Sequence, residues 1–367
     1  MRAKASYAKN ALMPVTISNP PTSAIIPPYN LKPTQVSTML SQQALLTVLS
    51  DGEWHSGEDL GAHFNVSRAA IWKQLKQLQT AGIALESERG RGYCLTHPMQ
   101  LLDANAIKSG LTEQTSALLS NLDIQFSIPS TNSAAMQLIE QVGDDADYSG
   151  HTLFAEQQTA GRGRRGRTWV SPLGRNIYSS TVWRFSAGAS GLSGLSLAVG
   201  VAIVKALETL GYKGVGLKWP NDLLWQGKKL GGILIEISGD AAGPCHVVVG
   251  IGLNVSMSDE QAADDIDQPW IDLASISEQP IDKNAIAAAL LNQLIPILST
   301  FEASGFEPLL QDWLERDAFL GRDIVLKLGK DELLGKQVGV KPDGSLCIET
   351  AEGLRTFNGG EVSLRGN

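Results

Sequence analysis

Between residues 105 and 320, short apolar segments alternate with longer segments of helical periodicity. A chain that alternates in this way folds as a β-sheet covered by helices. The pattern predicts strands at 124–126, 152–155, 177–182, 233–237 and 247–252, and helices at 131–142, 193–210 and 283–303. This segment is therefore expected to form an α/β or α+β domain of the size of a catalytic domain.

The segment 35–98 has a different pattern, in which short helices precede two short strands. Ser56 and Ser67 occupy positions typical of helix N-caps. Helices are expected at 40–49, after Ser56 and at 68–80, and strands at 83–87 and 93–95. Three helices followed by a hairpin predict a winged helix-turn-helix with 68–80 as its recognition helix.

The two ends of the chain are less informative. Residues 1–34 contain no acid and many Pro, Ser, Ala and Asn residues, so a disordered leader is expected. An organellar transit peptide, or an overhang ahead of a true start at Met39, remains open. Toward the other end, short strands at 324–326 and 346–348 on either side of Asp343-Gly344 predict a hairpin and a small β-barrel.

Composition limits the function classes. The net charge of -8 and the pI of about 5.2 argue against general affinity for nucleic acid. From Leu60 to His97, however, the sequence contains five Arg or Lys residues and two Glu residues, which is a local excess of three positive charges. The three cysteines lie far apart, which predicts reduced thiols in a cytoplasmic protein. No run of 18 apolar residues occurs, so no membrane partner is expected.

Residues 161–167 read Gly-Arg-Gly-Arg-Arg-Gly-Arg. Arginine offers a planar, permanently charged guanidinium that matches carboxylate and phosphate oxygens, and glycine lets backbone approach a ligand closely. The spacing lacks the Gly-Lys-Ser/Thr of a Walker phosphate loop. We interpret the segment as a flexible anion-binding loop; nonspecific RNA binding and a solvated surface loop are the alternatives.

Two further segments carry cations at turns. Lys218-Trp219-Pro220-Asn221-Asp222 places an ammonium group and a carboxylate on a proline-stiffened turn. Lys228 and Lys229 come immediately before an apolar strand that begins with two glycines. Lysine supplies a point charge for a phosphate or carboxylate. A solvated hairpin for the two lysines and an Asx turn for Asp222 remain alternatives.

These motifs resemble, in the same order, those of the biotin–protein ligases. The matching segments are Ser130-Thr131-Asn132, Gln158, 161–166, 218–222, 229–236 and 250–254. Together with the winged helix, they make the chain similar to bifunctional bacterial ligases that also repress the biotin operon. The resemblance covers about 38–365 and implies an α+β fold class, with a winged helix-turn-helix, a biotin/lipoate ligase-like catalytic domain at 105–318 and an SH3-like β-barrel at 319–367.

The resemblance implies an enzyme that activates biotin with ATP to biotinyl-5′-AMP and transfers biotin to a lysine of the biotin carboxyl carrier protein of acetyl-CoA carboxylase. A carboxylate and a triphosphate repel each other, so the enzyme must supply positive charge between them. The catalytic residues implied are Arg164, Lys218 and Lys229. Biotin and ATP are the expected substrates, with Mg²⁺ as cofactor.

The resemblance also implies a set of binding residues. Those for biotin are Ser130, Thr131, Asn132, Gln158, Arg162, Gly163, Arg164 and Lys229. Those for ATP or the adenylate are Arg162, Arg164, Arg165, Arg167, Trp169, Lys218, Asp222, Asn254 and Trp270. Asp222 is the expected carboxylate for Mg²⁺ carried by ATP. Trp270 is expected to cover adenine, with a core tryptophan as the alternative.

The winged helix is expected to bind operator DNA of biotin-synthesis genes. The expected DNA contacts are Ser67, Arg68, Ala69, Ala70, Lys73 and Gln74 on the recognition helix, with Arg89 and Arg91 at the wing tip. Trp72 is expected on the inward side of that helix. One winged helix reads a half-site, so a homodimer is expected when biotinyl-AMP is bound.

Three other functions remain open from the sequence. The chain could be a ligase whose winged helix does not bind DNA and serves packing or protein contact. It could be a ligand-responsive regulator without catalysis. A lipoate–protein ligase shares the implied fold and chemistry, but the 161–166 loop favours biotin.

Overall fold

The computed structural model describes residues 42–142, 146–239, 243–257, 266 and 268–364. The predicted leader at 1–34 lies outside the described residues. The first helix, α1, is described over 42–49, followed by α2 (Gly57–Phe64), α3 (Arg68–Thr80), β1 (Leu85–Glu88) and β2 (Gly92–Leu95). Ser56 Oγ accepts a hydrogen bond from the Asp59 amide, and Ser67 Oγ accepts one from the Ala70 amide. The predicted caps therefore start α2 and α3, and the winged helix-turn-helix pattern is confirmed.

The expectation that Trp72 points inward is wrong. The inward face of α3 is formed by Ile71, Leu75 and Leu78, all buried. Trp72 follows Ile71, so the helical rotation of about 100° per residue carries it out of that face. Its side chain is 54% exposed.

A buried connection joins the winged helix to the next domain. Met99 packs in the same hydrophobic cluster as the winged helix, together with Phe126 and Leu173 of the catalytic domain. Beside it, the Lys283 ammonium group forms an ion pair of 2.8 Å with Glu156, and both side chains are almost fully buried. The Leu102 amide donates to the other oxygen of Glu156. Because a buried charge is tolerated only when paired, this ion pair anchors the linker.

The central domain is built on a seven-stranded sheet in the order β3-β4-β5-β9-β8-β7-β6. Its strands are β3 (Asn121–Gln125), β4 (His151–Ala155), β5 (Ile177–Phe185), β6 (Val215–Lys218), β7 (Asp222–Trp225), β8 (Lys228–Gly239) and β9 (Cys245–Leu253). Only β3 and β4 pair in parallel, and the other pairs are antiparallel. The domain is therefore α+β, and the first strand lies three residues earlier than predicted.

Helices cover this sheet. They are α4 (Ala104–Ser109), α5 (Glu113–Leu118), α6 (Thr131–Val142), α7 (Leu195–Thr209), α8 (Lys283–Ser304) and α9 (Leu310–Leu314). Most of α7 is buried and packs against α8. By length and hydropathy, α8 is the one described helix that could cross a membrane, but 61% of its apolar window is buried inside the protein. It is placed as the core helix of this domain.

The last part of the chain forms a five-stranded antiparallel sheet in the order β13-β12-β11-β10-β14. The strands are β10 (Asp323–Leu328), β11 (Asp331–Val340), β12 (Leu346–Thr350), β13 (Gly353–Phe357) and β14 (Glu361–Leu364). The hairpin around Asp343-Gly344 joins β11 to β12, whereas the expected partner strand at 324–326 pairs with β11 and β14. Sequence patterns missed β11 because Asp331, Glu332, Gly335 and Lys336 interrupt its apolar residues.

Candidate functional site

The arginine-rich loop follows β4 and is closed on itself by backbone hydrogen bonds. The Gly163 amide donates to Arg167 O over 2.7 Å, and the Trp169 amide donates to Gly161 O over 2.9 Å. Arg165 and Gly166 both adopt a positive φ, at 57° and 75°. Glycine takes this conformation without steric cost, whereas Arg165 does not. The arginine-rich loop thus folds back on itself as a hook (residues 161–167) in this structure.

The arginines of the hook have different partners. Arg162 forms an ion pair with Glu236 on β8. Arg164 donates to Asn221 Oδ1 over 2.9 Å, and its burial, followed by the nearby charge of Arg165, lowers the pKa of its guanidinium from the ordinary value. Arg165 and Arg167 form ion pairs with Glu361 on β14. The hook is therefore bound to β8, to the turn between β6 and β7, and to β14.

A polar floor lies at the start of α6. Gln158 Oε1 accepts from the Thr131 amide over 2.9 Å, and Gln158 Nε2 donates to Ser171 over 3.1 Å. Ser180 Oγ on β5 donates to Asn132 Oδ1 over 2.6 Å and lies 2.7 Å from the Thr131 hydroxyl oxygen. Ser130, Thr131 and Asn132 are all buried. These hydroxyl and amide groups offer both donors and acceptors to a ligand.

The orientation of Asn132 is set on both sides of its amide. Its Nδ2 donates to Glu236 Oε2 over 2.9 Å and to Leu234 O over 3.2 Å. Gly250 of β9 lies directly behind it, where a Cβ atom would come within 2.2 Å of Asn132 Oδ1. The absence of a side chain at this position therefore makes the space that the amide fills.

Three charged residues converge on the opposite wall. The pairing of β6 with β7 places Lys218 beside Asp222, and β8 brings Lys229 to Asp222 from the other side. The Lys229 ammonium lies 2.8 Å from Asp222 Oδ1, and the Lys218 ammonium lies 3.9 Å from Asp222 Oδ2. Burial lowers the pKa of Lys218, which the Asp222 carboxylate opposes. Lys229 lies in the β7–β8 hairpin, but its side chain is mostly buried and paired with Asp222, so the solvated-hairpin alternative does not hold for it.

Two tryptophans flank Lys229. The Trp169 indole packs against Gly252, where a Cβ atom would come within 2.5 Å of it, and the Lys229 ammonium lies 5.5 Å from its ring centre. The Trp270 backbone pairs with Lys229, and its side chain is half-buried at a cavity rather than in the core. Asn254 is buried and donates to Ile271 O over 3.1 Å, which fixes the Trp270 segment.

These groups surround two adjoining cavities. The first, of about 330 Å³, is lined by the polar floor, by Arg162, Gly163, Arg164 and Arg167 of the hook, and by Lys218, Asp222 and Lys229. The second, of about 560 Å³, is lined by Arg167, Trp169, Lys229, Asn254 and Trp270, among others. Arg167, Trp169 and Lys229 line both. The arrangement can therefore hold two ligands with positive charge at their junction.

Some residues of this site were missed from the sequence. Ser180 stands between Ser179 and Thr181 in its strand, so the local sequence does not single it out. Glu361 of β14 lines the first cavity and forms ion pairs with Arg165 and Arg167, at 3.5 and 2.8 Å. Nothing in the local sequence marks Glu361, because its partners lie almost 200 residues earlier.

The expected DNA contacts are mostly on the surface. Ser67, Arg68, Ala69, Lys73 and Arg89 are exposed. Ala70 is half-buried in the first turn of α3, and Gln74 is half-buried with its Oε1 atom out of contact with solvent and without a hydrogen-bond partner among the described residues. Arg91 is exposed but stacks over Trp54 at 4.4 Å and pairs with Glu88 at 3.4 Å.

Comparison with known proteins identifies the parts of the chain. A sequence model of the biotin/lipoate A/B protein ligase family matches residues 126–254, an HTH domain model matches 41–94, and a biotin protein ligase C-terminal domain model matches 319–365. The bifunctional ligase/repressor BirA of Escherichia coli is 38% identical over 321 residues, which is 88% of this chain and 96% of that protein. The bifunctional ligase/repressor BirA of Salmonella typhimurium is 39% identical over 321 residues, which is again 88% of this chain and 96% of that protein.

Solved structures agree with these matches. The biotin protein ligase from Aquifex aeolicus in complex with biotin and ATP has a TM-score of 0.56 and 29% identity, covering 67% of this chain and 99% of that one. That relative spans two thirds of this chain, whereas the enterobacterial relatives also cover most of the rest. The chain therefore belongs to the biotin protein ligases, within the biotin/lipoate protein ligase family, and carries an N-terminal helix-turn-helix domain.

Proposed function

We propose that the two cavities bind biotin and ATP side by side, that biotinyl-5′-AMP forms between them, and that biotin then passes to a lysine of the biotin carboxyl carrier protein. One observation carries this proposal: a buried hydroxyl-and-amide floor and a cluster of arginine and lysine side chains open onto the same cavity. The bound ligands of the Aquifex relative, biotin and ATP, are in keeping with it.

The polar floor suits the ureido ring of biotin. That ring has two N–H donors and one carbonyl acceptor, and a buried site must match all three. Thr131, Asn132 and Gln158 supply such groups within one hydrogen-bonded network, and Ser130 adds a buried hydroxyl at the same cavity. We assign these residues to ureido recognition, with Arg162, Gly163 and Arg164 over the bound ligand.

Lys229 is assigned to the reacting carboxylate. One carboxylate oxygen of biotin attacks the α-phosphorus of ATP, the bond from that phosphorus to the β-phosphate oxygen breaks, and pyrophosphate leaves with the electron pair. The Lys229 ammonium lies at the junction of the two cavities and would offset the negative charge of both reactants. Lys218, Arg164 and Arg167 would stabilise charge on the phosphates, whereas Arg165, which was expected to do so, lines neither cavity.

In the second step the neutral lysine amine of the carrier protein attacks the acyl carbon, the bond from that carbon to the phosphate oxygen breaks, AMP leaves with the electron pair, and the nitrogen loses a proton to water. A mixed anhydride hydrolyses in open water, so a cover over it protects the intermediate. The hook at 161–167 and Trp169 flank the junction and are suited to that role. Trp270 and Asn254 line the second cavity, to which we assign adenine.

Magnesium is expected to enter with ATP. Mg²⁺ usually keeps several waters and binds one or two carboxylates together with substrate phosphates. Asp222 offers one carboxylate at the cavity, and no group of three metal-ligating side chains occurs in the part of the chain that the structure describes. Asp222 would therefore meet a metal held mainly by ATP, where Mg²⁺ would neutralise phosphate charge.

The test is pyrophosphate release that depends on biotin, followed by avidin detection of labelled carrier protein. Lys229→Ala and Arg164→Ala are expected to abolish transfer while folding normally. Lys228→Ala is the matched control, because Lys228 is the adjacent residue but is exposed. Wild-type turnover in Lys229→Ala would refute its assigned role. Binding of biotin without any labelling by the wild-type protein would favour a regulator without catalysis.

The winged helix is proposed to bind operator DNA and to repress biotin-synthesis genes. The exposed cations Arg68, Lys73 and Arg89 support this proposal, because phosphate contacts supply most of the affinity for DNA. The enterobacterial relatives are named as ligase/repressors. An electrophoretic mobility shift with DNA upstream of the biotin-synthesis genes tests it. If the DNA does not shift in the presence of biotin and ATP, the protein would be a ligase whose winged helix does not bind this DNA.

A homodimer is proposed for the adenylate-bound state. The pairing of β7 with β8 ends at Gly232, so from Leu234 to Gly239 the edge of β8 facing away from β9 has no strand partner among the described residues. Ile237 on this segment is 43% exposed. An open edge with apolar side chains favours pairing with another strand. Sedimentation with and without biotinyl-AMP tests the proposal, and an unchanged mass would contradict it.

The division into 35–98, 105–318 and 319–367 remains our proposal for the domains. The three separate sheets of the described residues, one in each proposed domain, support it. A cytoplasmic location is also proposed. The three cysteines are free and buried, as in proteins of a reducing compartment.

A further inference from the structure

A groove of about 480 Å³ lies between the recognition helix α3 and the wing β1–β2. Arg68, Trp72 and Lys76 line it from the helix, and Arg89 and Gly90 line it from the wing tip. Trp72 is one of the most exposed large apolar side chains of the described residues. Its indole N–H has no hydrogen-bond partner among them.

The helical spacing explains why the indole faces this groove. Residues 68, 72 and 76 are separated by four positions, so they lie one above another on the same flank of α3. The buried face carries Ile71 and Leu75 on the neighbouring side. Trp72 therefore lies between Arg68 and Lys76 along the flank of α3 that lines the groove, and not in the core.

The charges of the groove select an anionic occupant. Arg68, Lys76 and Arg89 are exposed, and the acidic side chains that line the groove are Glu58 and Glu88. Glu88 is already paired with Arg91 at 3.4 Å. A neutral, planar indole with a free N–H between exposed cations fits a ligand that offers both apolar surface and anionic oxygens.

The sugar–phosphate backbone of DNA has both properties. When a recognition helix lies in the major groove and a wing tip reaches the adjacent minor groove, the strand between the two grooves runs through the space between helix and wing. Deoxyribose presents an apolar surface to an aromatic face, and each phosphate oxygen accepts a hydrogen bond. A base edge would instead meet the outward residues, such as Ala69 and Lys73.

We propose that Trp72 is a DNA-contacting residue that packs its indole on a deoxyribose and donates its Nε1–H to a phosphate of the strand in this groove. The inference rests on the proposed DNA-binding function and names a residue that the motif for DNA recognition does not include. Because the contact is with the backbone, it strengthens binding to any sequence. Because the indole is neutral, the contact releases no counterion.

The experiment measures the Kd of the full-length protein, with biotin and ATP present, by fluorescence anisotropy of labelled DNA. Two duplexes of about 40 base pairs, long enough for two half-sites, are compared: the region upstream of the biotin-synthesis genes and a scrambled sequence. Trp72→Ala is expected to raise Kd about tenfold on both duplexes, the usual scale for one lost aromatic contact. The Kd of Trp72→Phe is expected to lie between those of the wild-type protein and Trp72→Ala, because phenylalanine keeps an apolar ring and lacks the N–H.

Two controls separate this contact from other effects. Leu354→Ala removes a side chain that is 64% exposed on β13 and should leave DNA binding unchanged. Lys76→Ala should reduce the slope of log Kd against log salt by about 1, whereas Trp72→Ala should leave that slope at the wild-type value. Biotin transfer by Trp72→Ala should equal that of the wild-type protein, which verifies folding of the catalytic domain, and an unchanged thermal unfolding curve verifies folding of the winged helix.

Three results would overturn the inference while DNA binding stands. They are a Kd of Trp72→Ala equal to that of the wild-type protein, a loss on the operator duplex alone, and a reduced salt slope. If the Kd of Trp72→Ala is unchanged and sedimentation shows a smaller fraction of dimer, Trp72 contacts another protein chain instead of DNA. Failure of the wild-type protein to bind either duplex would remove the DNA-binding proposal and this inference together.

Discussion

Gly250 provides the sharpest test of how biotin is recognised. In Gly250→Ala, the new methyl group would lie 2.2 Å from Asn132 Oδ1, well inside van der Waals contact. Gly250 does not have a positive φ, so alanine is compatible with the strand and the backbone need not move. The clash therefore falls on the Asn132 amide, which has to leave its position.

The magnitude follows from the bonds that hold that amide. Asn132 accepts from Ser180 and donates to Leu234 O and to the Glu236 carboxylate. A neutral hydrogen bond contributes about 1 kcal/mol net and one to a charged group about 2 kcal/mol, so their loss lowers the free energy of unfolding by about 2–4 kcal/mol. Loss of an oriented amide at the ureido ring should raise the Kd for biotin about a hundredfold, which corresponds to about 2.8 kcal/mol.

Isothermal titration calorimetry with biotin alone measures this Kd, and chemical denaturation measures the stability. Gly359→Ala is the control, because a Cβ atom there meets nothing within 4 Å and the glycine has no positive φ. It should match the wild-type protein in both assays. A Gly250→Ala protein that binds biotin as the wild-type protein does would show that the Asn132 amide does not contact the ligand, and would refute the assignment.

Three other predictions address charge and pH. Lys229→Arg should lower kcat for adenylate formation by at least about tenfold, because a guanidinium cannot replace a compact ammonium between two cavities; pyrophosphate release measures it. Glu361→Gln should lower the KM for ATP severalfold at low salt, because it removes the carboxylate that competes with phosphate for Arg167; steady-state kinetics measure it. Burial raises the pKa of Asp317 from 3.8 to about 6. Its folded-state pKa lies above the unfolded value, so its contribution to stability is complete below pH 4 and is lost as the pH rises through 6; Asp317→Asn should remove that loss in denaturation curves.

For each of these predictions, one experimental result would contradict the reasoning. Wild-type kcat in Lys229→Arg would mean that any positive charge suffices at the junction. A higher KM for ATP in Glu361→Gln would show that this carboxylate positions the hook instead of competing with phosphate. If the unfolding free energy of Asp317→Asn still falls between pH 4 and 6 as in the wild-type protein, another group causes that dependence.

The sequence alone determined the local structure and the class of chemistry. Ser56 and Ser67 cap their helices as predicted, because an N-cap depends only on side-chain and backbone groups within one turn. The long helices of the central domain also lie within two residues of their predicted bounds. The order of the motifs around 161–167 and 218–236 identified the family, because residue types and their spacing are properties of the chain itself.

Only the tertiary structure decided which groups meet. Arg167 pairs with Glu361, 194 residues later, and Asn132 meets Glu236, 104 residues later. These contacts depend on strand order, on register and on the space left by Gly250, none of which a local pattern encodes. The same reason explains Trp72: apolar character predicts burial, but the rotation of α3 on its core sets the indole in the groove. Residue types thus fixed the chemistry available to the chain, and long-range packing fixed where that chemistry is assembled.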